Sequence, residues 1–385
     1  MSNAIRISGN IRNQLPVFTG DEFFPVIIAS TGVSYDSDNI DVEISKAKAA
    51  VLAGANIITD HSLTSGIEFM HNRMAETLDV PISAIAVYEA AVLARSKEYQ
   101  IDEQSVVSIV EKQALRGIDI ITLHATVFKD DASLIEENRR IIPCTSRGGT
   151  MMLEIMKHAG FENPYWTFFS DILDIAKKYS ITISLGTTYR PASVCDSGVN
   201  DNLYFMEMSR MAELVKQASE KGVGIVVEGI GHAPINRIPD IVTKSKEICL
   251  NAPYRVLTVA TDIALGYDHI SSAIASSVAV YHGANMITCV SRSEHIGLPS
   301  EKNLHEAVIS AKIAAHCGYS ARFNDFSRDM EMSKARNEAG CLGLISAAID
   351  PSGAAEIMRE NKFGEEKSCT MCGEFCALAA NDRLL

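Results

Sequence analysis

No stretch of this sequence stays apolar for the roughly 20 residues that a membrane crossing needs. The amino terminus carries no leader either. Met1-Ser2-Asn3-Ala4-Ile5-Arg6 runs into polar sequence without the apolar core of a secretory signal, so a cytoplasmic protein is expected. Excess positive charge is also lacking. A formal net charge of −13 argues against nucleic acid or an anionic membrane as partner, while leaving room for a small phosphorylated substrate held at a local anion site. No Gly-x-Gly-x-x-Gly follows the first apolar run, which weighs against an open dinucleotide-binding sheet. Short-period repeats and low-complexity segments are missing. The nine cysteines, six of them scattered, suit a reducing compartment better than a disulfide framework, and the scattered six are expected to serve as small core residues.

What is present is an ordinary globular composition, 47% hydrophobic and 22% charged, over 385 residues. Single cores rarely grow past ~250–300 residues, so one large domain with a smaller appendage is the natural division. Short apolar runs at 24–30, 56–60, 83–87, 119–124, 141–146, 182–186, 224–228, 255–261 and 285–290 read as buried parallel strands. Helical patterns at 44–52, 103–115, 168–178 and 203–221 alternate with them, as βαβ units do. Nine runs are one too many for an eight-stranded barrel, and 83–87 and 141–146 are the weakest. The expected fold is therefore α/β: a (β/α)8 TIM barrel over residues 1–318, carrying a substrate and metal site, then a helical C-terminal module over 319–385. Met208 and Met211 fall at core spacing, whereas His71, His158, His282, His305 and His316 lie in helical patterns and are expected to be exposed or capping.

In a barrel the catalytic groups gather at the C-terminal strand ends. Those ends carry Asp60 and His61, Tyr88 and Glu89, His124, Ser146-Arg147-Gly148-Gly149, Glu228 through His232, Asp262, Tyr267-Asp268-His269, and Glu294-His295. Ser146 to Gly149 precede a helical pattern. Converging backbone N–H groups, a helix N-terminus and the Arg147 fork make a phosphate cradle there, though a plain strand-to-helix turn fits the same residues. Arg190 is a second candidate phosphate contact, or a solvated loop arginine. His232 and His295 are candidate metal ligands, or simply hydrogen-bonded polar residues. Glu228 is a candidate acid, base or substrate anchor.

The last eighteen residues hold Cys369, Cys372 and Cys376. Three thiolates this close can hold three irons of a [4Fe-4S] cluster and leave the fourth open; zinc, or thiols without a metal, remain alternatives on spacing alone. A zinc-dependent barrel hydrolase, with His232, His295 and Asp262 around an activated water, is the reading from a different class.

Taken together the segments resemble the radical AdoMet family that rearranges aminoimidazole ribonucleotide. The matching stretches are Ser146-Arg147-Gly148-Gly149, Arg190-Pro191, Glu228-Gly229-Ile230-Gly231-His232, Thr261-Asp262-Ile263-Ala264, Gly266-Tyr267-Asp268-His269-Ile270, Glu294-His295-Ile296-Gly297-Leu298-Pro299, Ser333-Lys334-Ala335-Arg336 and Met371-Cys372-Gly373. The resemblance implies a barrel with a cluster module, working as a homodimer. It implies a [4Fe-4S] cluster on Cys369, Cys372 and Cys376 that binds S-adenosyl-L-methionine and is reduced by a donor such as flavodoxin or ferredoxin. It places a mononuclear divalent metal, zinc or iron, on His232 and His295. It places 5-aminoimidazole ribonucleotide on Tyr88, His124, Ser146, Arg147, Gly148, Arg190, Glu228 and Tyr267.

Members of that family differ in product. Where the pattern of the thiamin-forming members reads Asp-Gly-Leu-Arg-Pro-Gly, this chain has Thr187-Thr188-Tyr189-Arg190-Pro191-Ala192. It also carries Thr258-Val259-Ala260-Thr261-Asp262 where that pattern has Gly-Pro-Leu-Thr-Thr-Asp, one residue longer, and Cys372 and Cys376 stand closer together. Retained phosphate and metal motifs with altered pocket loops suggest the same substrate and a different outcome. The expected activity is a carbon–carbon lyase forming 5-hydroxybenzimidazole, the cobamide (vitamin B12) lower ligand, with the phosphomethylpyrimidine synthase reaction of thiamin synthesis as the alternative.

Overall fold

Apolar runs three to six residues long, rich in Val, Ile and Thr, close into a barrel of parallel strands. A computed structural model describes residues 4–337, 341–361, 371–377 and 380. The chain opens with a hairpin, β1 (Ile5–Ile7) antiparallel to β2 (Val17–Thr19). The barrel strands are β3 (Val26–Thr31), β4 (Ile57–Asp60), β5 (Ile82–Ile85), β6 (Ile120–Leu123), β7 (Thr182–Leu185), β8 (Ile225–Glu228), β9 (Tyr254–Val256) and β10 (Met286–Thr288). They pair in sequence order, and β10 closes on β3.

Helices wrap the outside: α1 (Ile40–Ala53), α2 (Ile67–Thr77), α3 (Ala86–Ser96), α4 (Glu103–Leu115), α5 (Asp131–Asn138), α6 (Arg147–Ala159), α7 (Pro164–Thr167), α8 (Phe169–Tyr179), α9 (Asn202–Lys221), α10 (Ile238–Ile248), α11 (Asp268–Tyr281) and α12 (Glu301–Phe323). Local chemistry sets their ends. The Asn39 side chain accepts from Val42 N to start α1, and Gly54 ends it in the left-handed conformation with φ 109°. Outward strand residues and inward helix residues form one continuous core that includes Met208 and Met211.

Inside the barrel a step of two residues along each strand changes the chemistry. Ile28, Ile57, Ile120, Val226 and Met286 make an apolar lower layer with Ile7 of the hairpin. Two residues further on stand Ser30, Thr59, Thr122, Glu228 and Thr288. Period-two alternation thus gives a dry bottom and a polar top on the same strands. The hairpin is pinned across the bottom, where Gly9 N donates to Asp119 Oδ1 at 2.8 Å and Asn10 N to Tyr179 O at 3.1 Å.

Several expectations change. Residues 141–146 form no strand: Ile141 and Ile142 are exposed, and their N–H groups donate to the Asp196 carboxylate at 2.9 and 3.1 Å. Residues 83–87 are split, because β5 ends at Ile85 and α3 begins at Ala86. His71 is not exposed; it is buried on α2, with Nε2 2.9 Å from Asp60 Oδ2. Of the scattered cysteines, Cys249 and Cys289 are core residues, but Cys195 and Cys317 are exposed.

The chain divides into two compact units, the first ending at Arg322 and the second running from Phe323. The second contains α13 (Ser327–Asn337), α14 (Cys341–Ala347), α15 (Pro351–Glu360) and a 3-10 turn at Gly373–Phe375. Among the described residues no helix is long and apolar enough to cross a membrane.

Candidate active site

The polar top of the barrel opens into a cavity of about 240 Å³ at the C-terminal strand ends. Tyr88, His124, Ser146, Arg147, Gly148, Arg190, Glu228, His232 and His295, each singled out from sequence, all line it. Tyr267 does not. It is 58% exposed at the start of α11, with the Arg292 guanidinium 5.7 Å over its ring. Glu89 also points elsewhere, pairing with Arg116 at 2.9 Å on the outer surface of the barrel.

The first turn of α6 supplies the anion cradle. Ser146 caps the helix, its Oγ accepting from Gly149 N at 3.2 Å, and the same oxygen lies 3.0 Å from His124 Nε2. Two glycines are required by crowding. A Cβ on Gly148 would come within 2.2 Å of His124 Cε1, and one on Gly149 within 2.3 Å of Thr188 Cγ2. The helix therefore sits hard against β6 and the loop after β7. Its early N–H groups and partial positive end face the cavity, with Arg147 beside the Tyr88 ring at 5.7 Å. Burial, helped by Arg190 and Arg255, pulls His124 down to about 4, so this imidazole is neutral at pH 7.

Across from that helix stands Glu228. Its Oε2 accepts from Thr187 N at 2.9 Å and lies 3.3 Å from Arg190 Nη1, which also donates to Thr187 O at 2.7 Å. Burial pushes this carboxyl up, but Arg190, Arg255, His124 and the Thr187 N–H outweigh it and hold the group below its ordinary value. The loop carrying Arg190 is gripped from behind by Glu207 on α9, whose two oxygens accept from Thr188 N at 2.8 Å and Tyr189 N at 2.7 Å.

His232 and His295 leave different strands and meet with ring centroids 5.2 Å apart. Each ring is oriented by a carboxylate: His232 Nδ1 by Asp262 at 2.7 Å, and His295 Nδ1 by Asp268 at 2.8 Å. A carboxylate only accepts, so Nδ1 carries a proton in each ring and Nε2 is the nitrogen turned away from the carboxylate, the arrangement found around metal-binding histidines. Asp262 is thus a buttress of His232 rather than a third ligand. Among the described residues no group of three or more His, Cys, Asp or Glu is assembled around one point, which leaves the hydrolase reading without its metal triad.

In the second unit, Cys372 and Cys376 flank the 3-10 turn, and neither is in a disulfide. Cys369 lies outside the described residues. Two thiols on one turn have the donor chemistry that iron–sulfur ligation uses.

Sequence reasoning missed Arg255 and the role of Glu207. Both lie inside regular elements, where nothing in the primary pattern separates a cavity-facing charge from a surface one.

A barrel with a strand-end pocket of this kind defines a class of enzyme, and the comparisons give the family. A model of the "Radical SAM ThiC family" matches residues 2–383, and the chain belongs to that family. Phosphomethylpyrimidine synthase from Carboxydothermus hydrogenoformans is 37% identical over 375 residues, covering 96% of this chain and 87% of its own. The Methanocaldococcus jannaschii protein of the same name is 36% identical over 379 residues, covering 97% and 88%. Among solved structures, a Coxiella burnetii dihydropteroate synthase covers 83% of this chain and is itself covered completely, at 13% identity and a TM-score of 0.48.

The chain is therefore a radical SAM enzyme, of a class built on a [4Fe-4S] cluster and S-adenosyl-L-methionine. The expected benzimidazole product is overturned, because relatives matching almost end to end are phosphomethylpyrimidine synthases. The partner set attached to it, a flavodoxin or ferredoxin donor and a homodimer, is withdrawn with it.

Proposed function

We propose that this chain acts on aminoimidazole ribonucleotide as a phosphomethylpyrimidine synthase does, in thiamin synthesis. The observation that carries the reading is the cavity itself. It joins a capped helix N-terminus and Arg147, suited to a phosphate, to an ionised Glu228 and a neutral His124, suited to holding and moving protons on a small polar heterocycle.

The α6 N-terminus, Ser146, Gly148 and Arg147 hold the phosphate, and Arg190 adds charge while fixing Glu228. Tyr88 packs over the ligand. His232 and His295 hold a divalent cation through their Nε2 atoms, with Asp262 and Asp268 fixing the ring angles. Cys372 and Cys376, with Cys369, hold the cluster. When bound, cluster and S-adenosyl-L-methionine supply the one-electron chemistry of the class.

The test incubates anaerobically reconstituted protein with aminoimidazole ribonucleotide, S-adenosyl-L-methionine and a reductant. Hydroxymethylpyrimidine phosphate, identified by mass spectrometry, is the expected product. Release of a different heterocycle, or an untouched ribonucleotide alongside cleaved S-adenosyl-L-methionine, overturns the proposal.

A further inference from the structure

The loop that follows β10 carries His295, and its far leg is tied to α1. On that helix two charged side chains are buried: Glu43 is 1% exposed and Lys46 6%. Lys46 Nζ lies 2.5 Å from Glu43 Oε1. Glu43 Oε2 in turn accepts from Gly32 N at 3.1 Å, just past β3. That anchor belongs to the barrel frame, because a Cβ on Gly32 would come within 2.5 Å of Ser62 N beyond β4. From this footing Lys46 Nζ donates to Pro299 O at 3.1 Å. The pair thus joins the end of β3 to the leg of the loop beyond His295.

A buried ion pair is a weak source of stability, and apolar side chains of the same volume often serve as well. The bond to Pro299 is what apolar residues could not supply. A second cavity, of about 180 Å³, is lined by Glu43 and Lys46 from one side and by Glu294 and Pro299 from the other. Side-chain packing leaves that gap open, and the Lys46 bond crosses it. Within the loop, Ile296 N and Gly297 N both donate to Ser293 O, at 2.9 and 2.8 Å, so His295 sits in a compact turn. The aim of such a turn follows from where its legs are held. The first leg is held by the sheet, where Cys289 N donates to Ile28 O at 2.7 Å.

We propose that Lys46, braced by Glu43, is a positioning residue for the metal site: it fixes the second leg at Pro299 and so sets His295 against His232. The inference rests on the metal role given to the two histidines above and deepens it. Asp268 sets the angle of the His295 ring. Lys46 sets where the backbone beneath that ring stands, and is no ligand itself.

The test reads metal rather than turnover. The full chain, with its cluster reconstituted, is dialysed to equilibrium against buffered zinc, and zinc per chain is measured by elemental analysis. Glu43→Gln/Lys46→Met removes both charges at similar volume and leaves an acceptor for Gly32 N. Lys46→Gln keeps a partner for Glu43 but stops short of Pro299. Each should bind zinc roughly 10- to 100-fold more weakly than wild type, the range expected when a residue supporting a metal ligand is lost. Thermal melts of the zinc-free proteins separate this from damage to the fold, since the double variant should melt close to wild type. Ser45→Ala, which removes the bond from Ser45 Oγ to Glu301 Oε2 on the exposed side of the same helix, should bind zinc as wild type does. Unchanged zinc affinity in a folded Lys46 variant, an equal loss in Ser45→Ala, or weakening that only accompanies a fall in melting temperature overturns the inference. Wild type that binds no more zinc than His295→Ala overturns the metal reading, and this inference with it.

Discussion

At position 148 two pressures oppose each other. Alanine is the better helix former by roughly 1 kcal/mol, yet a Cβ there would press into His124. Gly148→Ala is expected to fold and to lose at least about tenfold in kcat/KM, with weaker phosphate binding in calorimetry as the check. At position 295 the expected outcome concerns metal. His295→Ala should keep cluster iron and sulfide while losing the additional divalent ion, read by elemental analysis; unchanged metal content would sink the assignment. The ionisable residues lining the cavity were legible because such groups at strand ends are unusual on a structural barrel. Arg255 was not. The run that contains it gives no sign of which strand face turns inward, and that face follows only from barrel register. Tyr267 fails for the opposite reason: its motif is local, but its side chain leaves the cavity for solvent.

At the scale of elements, the loop after β7 shows how a buried helix side chain shapes the site. Glu207 grips Thr188 and Tyr189 from behind, so that Arg190 and Thr187 meet Glu228 in front. Burial raises this carboxyl to about 7 from an ordinary 4.5. The folded chain then holds the proton more tightly than the unfolded one. The contribution to stability is full below about pH 4.5 and declines, by an order of 3 kcal/mol, as pH rises to about 7. Glu207→Gln lacks that titration. It should be less stable than wild type, with a deficit that narrows from pH 5 to pH 8 in thermal melts; a constant gap would contradict the argument. The strands themselves were readable as apolar runs. The hairpin was not, because three-residue strands leave almost no periodicity, and residues 141–146 misled because Ile141 and Ile142 are apolar yet serve a loop clasped by Asp196.

For the whole molecule, the division after Arg322 separates the barrel's stability from the chemistry of the cysteines. Cys372→Ala should leave the melt of the barrel intact by circular dichroism and abolish cleavage of S-adenosyl-L-methionine; substantial cleavage by verified cluster-free protein would refute this. The barrel was legible from sequence, while the product was not, because one scaffold can carry different outcomes set by pocket detail. The plugged foot of the barrel has its own consequence for traffic. With Ile7 and its neighbours stoppering one end, whatever arrives and whatever is made must share a single doorway. Spent product therefore stands in the way of the next molecule, and its departure sets an upper bound on how fast the vessel can refill.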